Sequence, residues 1–297
     1  MPSKRPKKPN EGPRSLVSVH VDVTTRLGAV APTTTTGIGA LDALLGGGLR
    51  SGTHLVVSGG PGAGKTAFGL MLAYMAARTR AAVLFTSVGL DETEVVARLT
   101  ARALHREYQN VAATTYGTIW SGVAMQEPGM RQAIATCSAT VTKKVGEHLH
   151  LHTADPMQDV ATLADHAAFL WTRNERVVVV VDGAEGYSAA TAAGTTAASS
   201  LDARLLSVAY ELSRLAGQGC TVISTCSSDA APFIVPAATV AAELRAPREP
   251  SARATKKKQQ LGVRAMDLVV VKNRLGPTPI VPLLYVAAAS VFEERQP

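Results

Sequence analysis

Apolar positions in this chain fall into short unbroken runs separated by longer stretches of helical period. His54 to Ser58 reads as a strand, Lys65 to about Arg78 as a helix, Ala82 to Ser87 as a strand and Glu92 to His105 as a helix. The alternation continues with a helix over about Gly129–Lys144, a short strand at His148–His152 and a helix over Met157–Arg173. Arg176 to Asp182 contains five consecutive valines. A run without polar alternation needs burial on both faces, as a central parallel strand provides. A helix over Leu201–Ala216 and a strand at Thr221–Thr225 follow. Further strands are expected at Asp267–Lys272, Ile280–Val286 and Ser290–Glu293, the first two separated by the turn Leu275-Gly276-Pro277-Thr278-Pro279. Strands alternating with helices predict an α/β fold whose mostly parallel central sheet is flanked by helices, closed by a C-terminal β-hairpin. No internal repeat of solenoid period is present.

The first strand and helix bracket Gly59-Gly60-Pro61-Gly62-Ala63-Gly64-Lys65-Thr66, a complete G-x-x-x-x-G-K-[ST] phosphate loop. Its glycines let consecutive backbone N–H groups turn toward phosphates, and the helix N-terminus adds a positive dipole end. Lys65 is placed to reach the β- and γ-phosphates of ATP, and the Thr66 hydroxyl to bind Mg²⁺. Asp182 ends the valine strand, where an acidic residue holds the same Mg²⁺, usually through water.

Composition narrows the class without changing this picture. The 297 residues are 46% apolar, ample for one α/β core, and no apolar run approaches the ~20 residues of a membrane span. Cys137, Cys220 and Cys226 show no paired spacing, which argues against a disulfide framework or a zinc ribbon. The basic N-terminus lacks a following apolar stretch, so a cytoplasmic protein without a secretory signal is expected. The net charge of +7 is unevenly placed. Residues 1–14 carry Lys4, Arg5, Lys7, Lys8 and Arg14 against Glu11. Residues 245–264 carry Arg245, Arg248, Arg253, Lys256, Lys257, Lys258 and Arg264 against Glu249. The remainder is mildly acidic. Two basic stretches suit the phosphate backbone of DNA, or serve only as solvated segments. With 4% aromatic residues, little base stacking is expected.

Residues 1–35 read as a basic tail and lead-in, and 36–297 as the ATPase domain. Upstream of the phosphate loop, Thr36-Gly37-Ile38-Gly39-Ala40-Leu41-Asp42 and Gly46-Gly47-Gly48-Leu49 resemble the lead-in of RecA-like ATPases, including the circadian clock and RadA families. Downstream, Lys272-Asn273-Arg274-Leu275-Gly276-Pro277-Thr278 resembles the K-x-R-x-G-P-T hairpin of DnaB-type replicative helicases. Ser87-Val88-Gly89-Leu90 with Arg98-Leu99, and the spacing from Leu149 to Asp182, fit the same family, so the resemblance spans about residues 35–293.

That resemblance implies a homo-oligomeric, usually hexameric ring with ATP at each interface. Lys272 and Arg274 would reach the γ-phosphate bound by a neighbouring subunit, where cations offset charge on the transferred phosphoryl group. It also implies single-stranded DNA as a non-specific partner and a role in replication or recombination. Three departures stand out. Gly89 occupies the position of the family's water-polarising glutamate, with Asp91, Glu92 and Glu94 nearby. Thr225-Cys226-Ser227 replaces the family's S-Q-L sensor, and the Ser188–Ser200 loop lacks DNA-contacting cations. Reduced hydrolysis is therefore expected. The alternatives are an ATP-binding assembly or loader protein without efficient turnover, and a regulatory ATPase of the RadA or clock type. His148, His150 and His152 share a strand face, but i to i+4 spans roughly 13 Å, too far for one ion to reach all three. Cys226, at a strand end, reads as a small packed residue rather than a reactive thiol.

Overall fold

The computed structural model describes residues 15–17, 19–20, 33–108, 115–189, 200–247 and 262–295. The basic tail 1–14, the cations at 248–258 and most of the Ser188–Ser200 loop lie outside the described residues.

A nine-stranded sheet carries the fold, in spatial order β11-β10-β9-β8-β3-β7-β6-β4-β5. Its strands are β3 (His54–Gly59), β4 (Ala82–Ser87), β5 (Leu149–Thr153), β6 (Val177–Asp182), β7 (Thr221–Ser227), β8 (Val240–Arg245), β9 (Val263–Asn273), β10 (Ile280–Val286) and β11 (Val291–Glu294). From β8 to β5 all neighbours are parallel, and β9, β10 and β11 add on antiparallel. The mostly parallel sheet and the C-terminal hairpin read from the sequence are both present. Two short strands, β1 (Thr33–Thr34) and β2 (Leu49–Arg50), pair beside the sheet. Thr33 and Thr34 thus belong to ordered structure just upstream of the expected boundary at residue 36.

Helices α1 (Gly39–Leu44), α2 (Lys65–Arg78), α3 (Glu92–Tyr108), α4 (Tyr116–Trp120), α5 (Pro128–Val145), α6 (Val160–Trp171), α7 (Leu201–Gly217) and α8 (Ala231–Ile234) complete the layers. One face of the sheet packs on α2, α3 and α5 through Phe68, Leu72, Leu99 and Val141. The other packs on α6, α7 and α8 through Leu163, Leu205, Leu212 and Ile234. The valine strand divides itself between them. Val178 and Val180 enter the first core, while Val177, Val179 and Val181 enter the second. Each has 2% exposure or less, which is why no polar residue interrupts the run.

The lead-in motif has a local structural use. Asp42 accepts from the Thr35 hydroxyl (2.5 Å), the Thr36 N–H (2.7 Å) and the Thr36 hydroxyl (2.7 Å), tying α1 to the segment that follows β1. Among the described residues no helix is long and apolar enough to cross a membrane. All three cysteines are free and buried.

Candidate functional site

β3, β7, β6 and β4 are parallel neighbours, so their C-terminal ends form one edge of the sheet. The phosphate loop leaves β3 at that edge and becomes α2. Gly64 makes the turn with φ +89°, and a Cβ there would sit 2.9 Å from the rings of Phe292 and Tyr285. A side chain is excluded twice over, by backbone conformation and by those rings. The first N–H groups of α2 have no acceptor within the helix and face outward from the loop. The Lys65 ammonium donates to the carbonyls of Gly59 (2.9 Å) and Gly60 (3.1 Å), so it lies folded along the loop.

Asp182 stands across from the loop at the end of β6. Its carboxylate accepts from the hydroxyls of Thr66 (2.9 Å), Ser87 (3.2 Å) and Thr225 (2.8 Å). Burial pushes the carboxyl above the ordinary aspartate range, against those three hydrogen bonds, which pull it down. A desolvated carboxylate beside a threonine hydroxyl is a hard oxygen-donor pair that fits Mg²⁺. The structure therefore brings Lys65, Thr66 and Asp182 together, and adds Ser87 and Thr225 as supports for the carboxylate. Thr225, in the segment that departs from the family's sensor, also accepts from the Gly183 N–H (2.8 Å).

The loop's outer side opens onto a cavity of about 330 Å³ lined by Gly64, Thr66, Arg98, Tyr116, Arg264 and Tyr285. Arg264 donates to the Gly62 carbonyl (3.1 Å) and lies 5.3 Å from the Tyr285 ring centroid. Arg98 sits 3.9 Å from the ring centroid of Tyr116 and pairs with Glu94 at 2.6 Å. These cations and rings were not legible as site residues, because they converge on the loop from distant parts of the chain. Arg264 and Arg245, read with the basic stretch, lie instead within β9 and β8, and Arg245 is 3.7 Å from Glu243.

Of the acidic residues beside Gly89, Asp91 and Glu94 have local tasks and Glu92 is exposed. Asp91 caps α3 by accepting from the Glu94 N–H (2.7 Å), and Glu94 is held by Arg98. A different carboxylate lies at the same end of the sheet. Glu185, in the turn after β6, accepts from the Ser227 N–H (2.9 Å) at the end of β7. Ser227 is the register partner of Gly59, where the phosphate loop begins. The second oxygen of Glu185 is buried and meets no donor among the described residues. Arg204 fixes this turn by donating to the carbonyls of Glu185 (2.7 Å) and Tyr187 (2.5 Å). Cys226 is fully buried, and burial followed by the Glu185 charge pushes its thiol up to about 12, so it is a packed residue.

Lys272 and Arg274 lie elsewhere. β9 runs antiparallel to β8, and Asn273 pairs with Val240, the first residue of β8. The hairpin tip therefore stands at the sheet edge opposite the phosphate loop. Lys272 donates to the carbonyls of Val235 (3.2 Å) and Pro236 (2.7 Å), and Arg274 is exposed. Among the described residues no cluster of three or more His, Cys, Asp or Glu could hold a metal ion. His152 instead meets the Thr86 hydroxyl (3.0 Å) and the His166 ring.

Comparison with known proteins agrees with this architecture. The family model described as the KaiC ATPases matches residues 34–139. No curated protein sequence matches the chain. One solved structure, of an ATPase domain, superposes with a TM-score of 0.75 at 15% identity, over 97% of this chain and all of that one. A DnaB-like replicative helicase, solved in a study of its interactions with primase, gives 0.71 at 16% identity, over 97% of this chain and 68% of that one. The chain has the RecA-like fold of DnaB-type ATPase domains.

Proposed function

We propose that this chain is a ring-forming ATPase of the DnaB type that binds Mg-ATP through Gly59–Thr66 and Asp182 and acts on DNA in replication or recombination. One observation carries the reading: the Thr66 hydroxyl at the head of α2 meets the buried Asp182 carboxylate at 2.9 Å, beside the folded Lys65 ammonium. Mg²⁺ bound there supplies charge neutralisation at the β- and γ-phosphates. Lys65 swings from the loop carbonyls onto the phosphates, exchanging neutral acceptors for charged ones. Arg264 and Tyr285, on the loop's outer side, line the space for the rest of the nucleotide.

With Gly89 lacking a side chain, Glu185 is the carboxylate proposed to hold a water, because its second oxygen is buried without a donor among the described residues and a bound water would satisfy it. Its bound oxygen fixes the side chain through Ser227, and its other oxygen is the free acceptor. Lys272 and Arg274 act on a neighbour's nucleotide, since the hairpin tip stands away from its own loop. The competing reading is an ATP-binding assembly or loader protein with little turnover, favoured by Gly89 and by the replacement of the sensor segment. Replacing Lys65 with Ala tests the shared premise. Affinity for a fluorescent ATP analogue is expected to fall at least tenfold, on the order of 1.4 kcal/mol. Unchanged binding refutes the nucleotide assignment.

A further inference from the structure

A second polar cavity lies at the far end of α2 from the phosphate loop. Lys65 and Arg78 are the two ends of this 14-residue helix, about 20 Å apart at 1.5 Å per residue. The cavity has a volume of about 280 Å³ and lies among α2, α3 and α5, lined in part by Tyr74, Arg78, Arg102, Arg106, Cys137 and Lys144. Four of those six are cations, and Glu107 is the single carboxylate on the lining.

Arg102 distinguishes this cavity from an ordinary basic surface. The residue is only 4% exposed, yet its Nε and Nη1 meet no hydrogen-bond acceptor among the described residues. Its remaining contacts are weak: Nη2 lies 3.9 Å from the Met75 sulfur, and the guanidinium is 5.0 Å from the Tyr74 ring centroid. Burial, then the neighbouring Arg106, push the guanidinium down to about 10 against the opposing pull of Tyr74 and the Glu293 carboxylate, neither of which it hydrogen-bonds, so it stays charged at neutral pH. Proteins rarely bury an unpaired charge, because water is lost without a compensating partner. A buried fork of donors on a cavity wall, with three further cations around it, is suited to an anion of more than one charge.

We infer that this cavity is a binding site for a compact polyanion of the phosphate class, separate from the phosphate loop. The Arg102 fork takes two phosphate oxygens, and Arg78, Arg106 and Lys144 offset the remaining charge. At about 280 Å³ the cavity has room for a compact diphosphate such as pyrophosphate. A monoanion leaves most of the cationic charge unpaired.

Calorimetric titration with inorganic pyrophosphate tests the inference, using the full chain carrying Lys65→Ala so that the phosphate loop contributes little. Saturable one-to-one binding is expected, tighter than that of inorganic phosphate. Arg106→Ala with Lys144→Ala, both changes on the cavity rim, should weaken it at least tenfold. Arg102→Met should weaken it at least thirtyfold, and Arg102→Lys, which keeps charge without the fork, should fall between. If Arg102→Met fails to fold, Arg78→Ala takes its place with the tenfold expectation. Absence of saturable binding overturns the inference, as does wild-type affinity in the rim variants. Displacement of pyrophosphate by a hexaglutamate peptide of higher affinity also overturns it, in favour of an acidic protein partner.

Discussion

His54 offers a quantitative test of how the sheet packs at the edge opposite the nucleotide. It begins β3, is 1% exposed, and holds the Ser213 and Ser224 hydroxyls at 2.9 Å each through Nδ1 and Nε2. Ser213 donates its own proton to the Ala237 carbonyl (2.7 Å), so it accepts from Nδ1–H, and Nε2 is left to accept from Ser224. Burial, then the Lys272 charge, lower the imidazole pKa from 6.5 to about 3, so the ring is neutral at pH 7. A proton lost on folding makes the unfolded state the more protonated one between those values. Stability attributable to His54 is present above pH 6.5 and falls by about 1.4 kcal/mol per pH unit on acidification, or about 2 kcal/mol by pH 5. Urea unfolding at pH 7.5, 6.5, 5.5 and 4.5, compared between the wild type and His54→Gln, isolates the effect. The substitution shifts the absolute stability by a constant amount, but the difference between the curves should narrow as pH falls. Parallel curves would show that His54 is not buried neutral and that the packing of β3 against α7 and β7 is misassigned.

Glu185→Gln should lower ATP turnover by two to four orders of magnitude, the usual span for a general base, while leaving nucleotide affinity within a few-fold. Gly89→Glu, at a position where a Cβ meets nothing within 4 Å, should raise turnover. If Glu185→Gln retains full activity, the water is oriented by another group. Subunits carrying Lys65→Ala and subunits carrying Lys272→Ala with Arg274→Ala should each be inactive. An equal mixture should regain activity at about a quarter of interfaces, because a heterologous ring joins one subunit's loop to its neighbour's hairpin. A protein that stays monomeric with ATP, Mg²⁺ and DNA refutes the shared site. Single-stranded DNA binding should be sequence-independent, fall steeply between 50 and 200 mM salt, and weaken on deletion of residues 1–14 or neutralisation of Lys256, Lys257 and Lys258. Salt-insensitive binding would count against those contacts.

The parts of the molecule that could be read from sequence are those in which local pattern and tertiary role coincide. The valines of β6 are buried on both faces and appear as an uninterrupted run; Lys65, Thr66 and Asp182 stand at fixed places relative to their strands. β8 escaped because Val240-Ala241-Ala242-Glu243-Leu244-Arg245 has weak strand character, and its pairing is supplied by β3 and β9 from far along the chain. Glu185 escaped for a different reason. Its carboxylate reaches the site by bonding the end of β7, 42 residues on, and no spacing rule anticipates that contact. Arg264 and Tyr285 likewise reach the phosphate loop only because β9 and β10 fold back along the sheet.

The antiparallel addition of β9 has a mechanistic consequence. The nucleotide edge is where β3 ends, whereas the hairpin tip is where β8 begins, and β3 pairs with β8 residue by residue from Leu55↔Val240 to Gly59↔Leu244. Lys272 lies opposite Ala241, and Ala241 opposite Val56, so three residues, roughly 10 Å along the strands, and two strand spacings, roughly 10 Å across the sheet, separate it from Gly59 of its own phosphate loop. Covering that distance within one subunit would require unpairing β9 from β8, an exchange of backbone hydrogen bonds for two cation contacts. Reaching a neighbour's nucleotide requires only that the Lys272 side chain leave the carbonyls of Val235 and Pro236. The lone subunit thus holds this lysine on neutral acceptors, and a phosphate presented by a neighbour is the stronger partner. On this account nucleotide at the interface both completes the site and stabilises the ring, so assembly and ATP binding should reinforce each other.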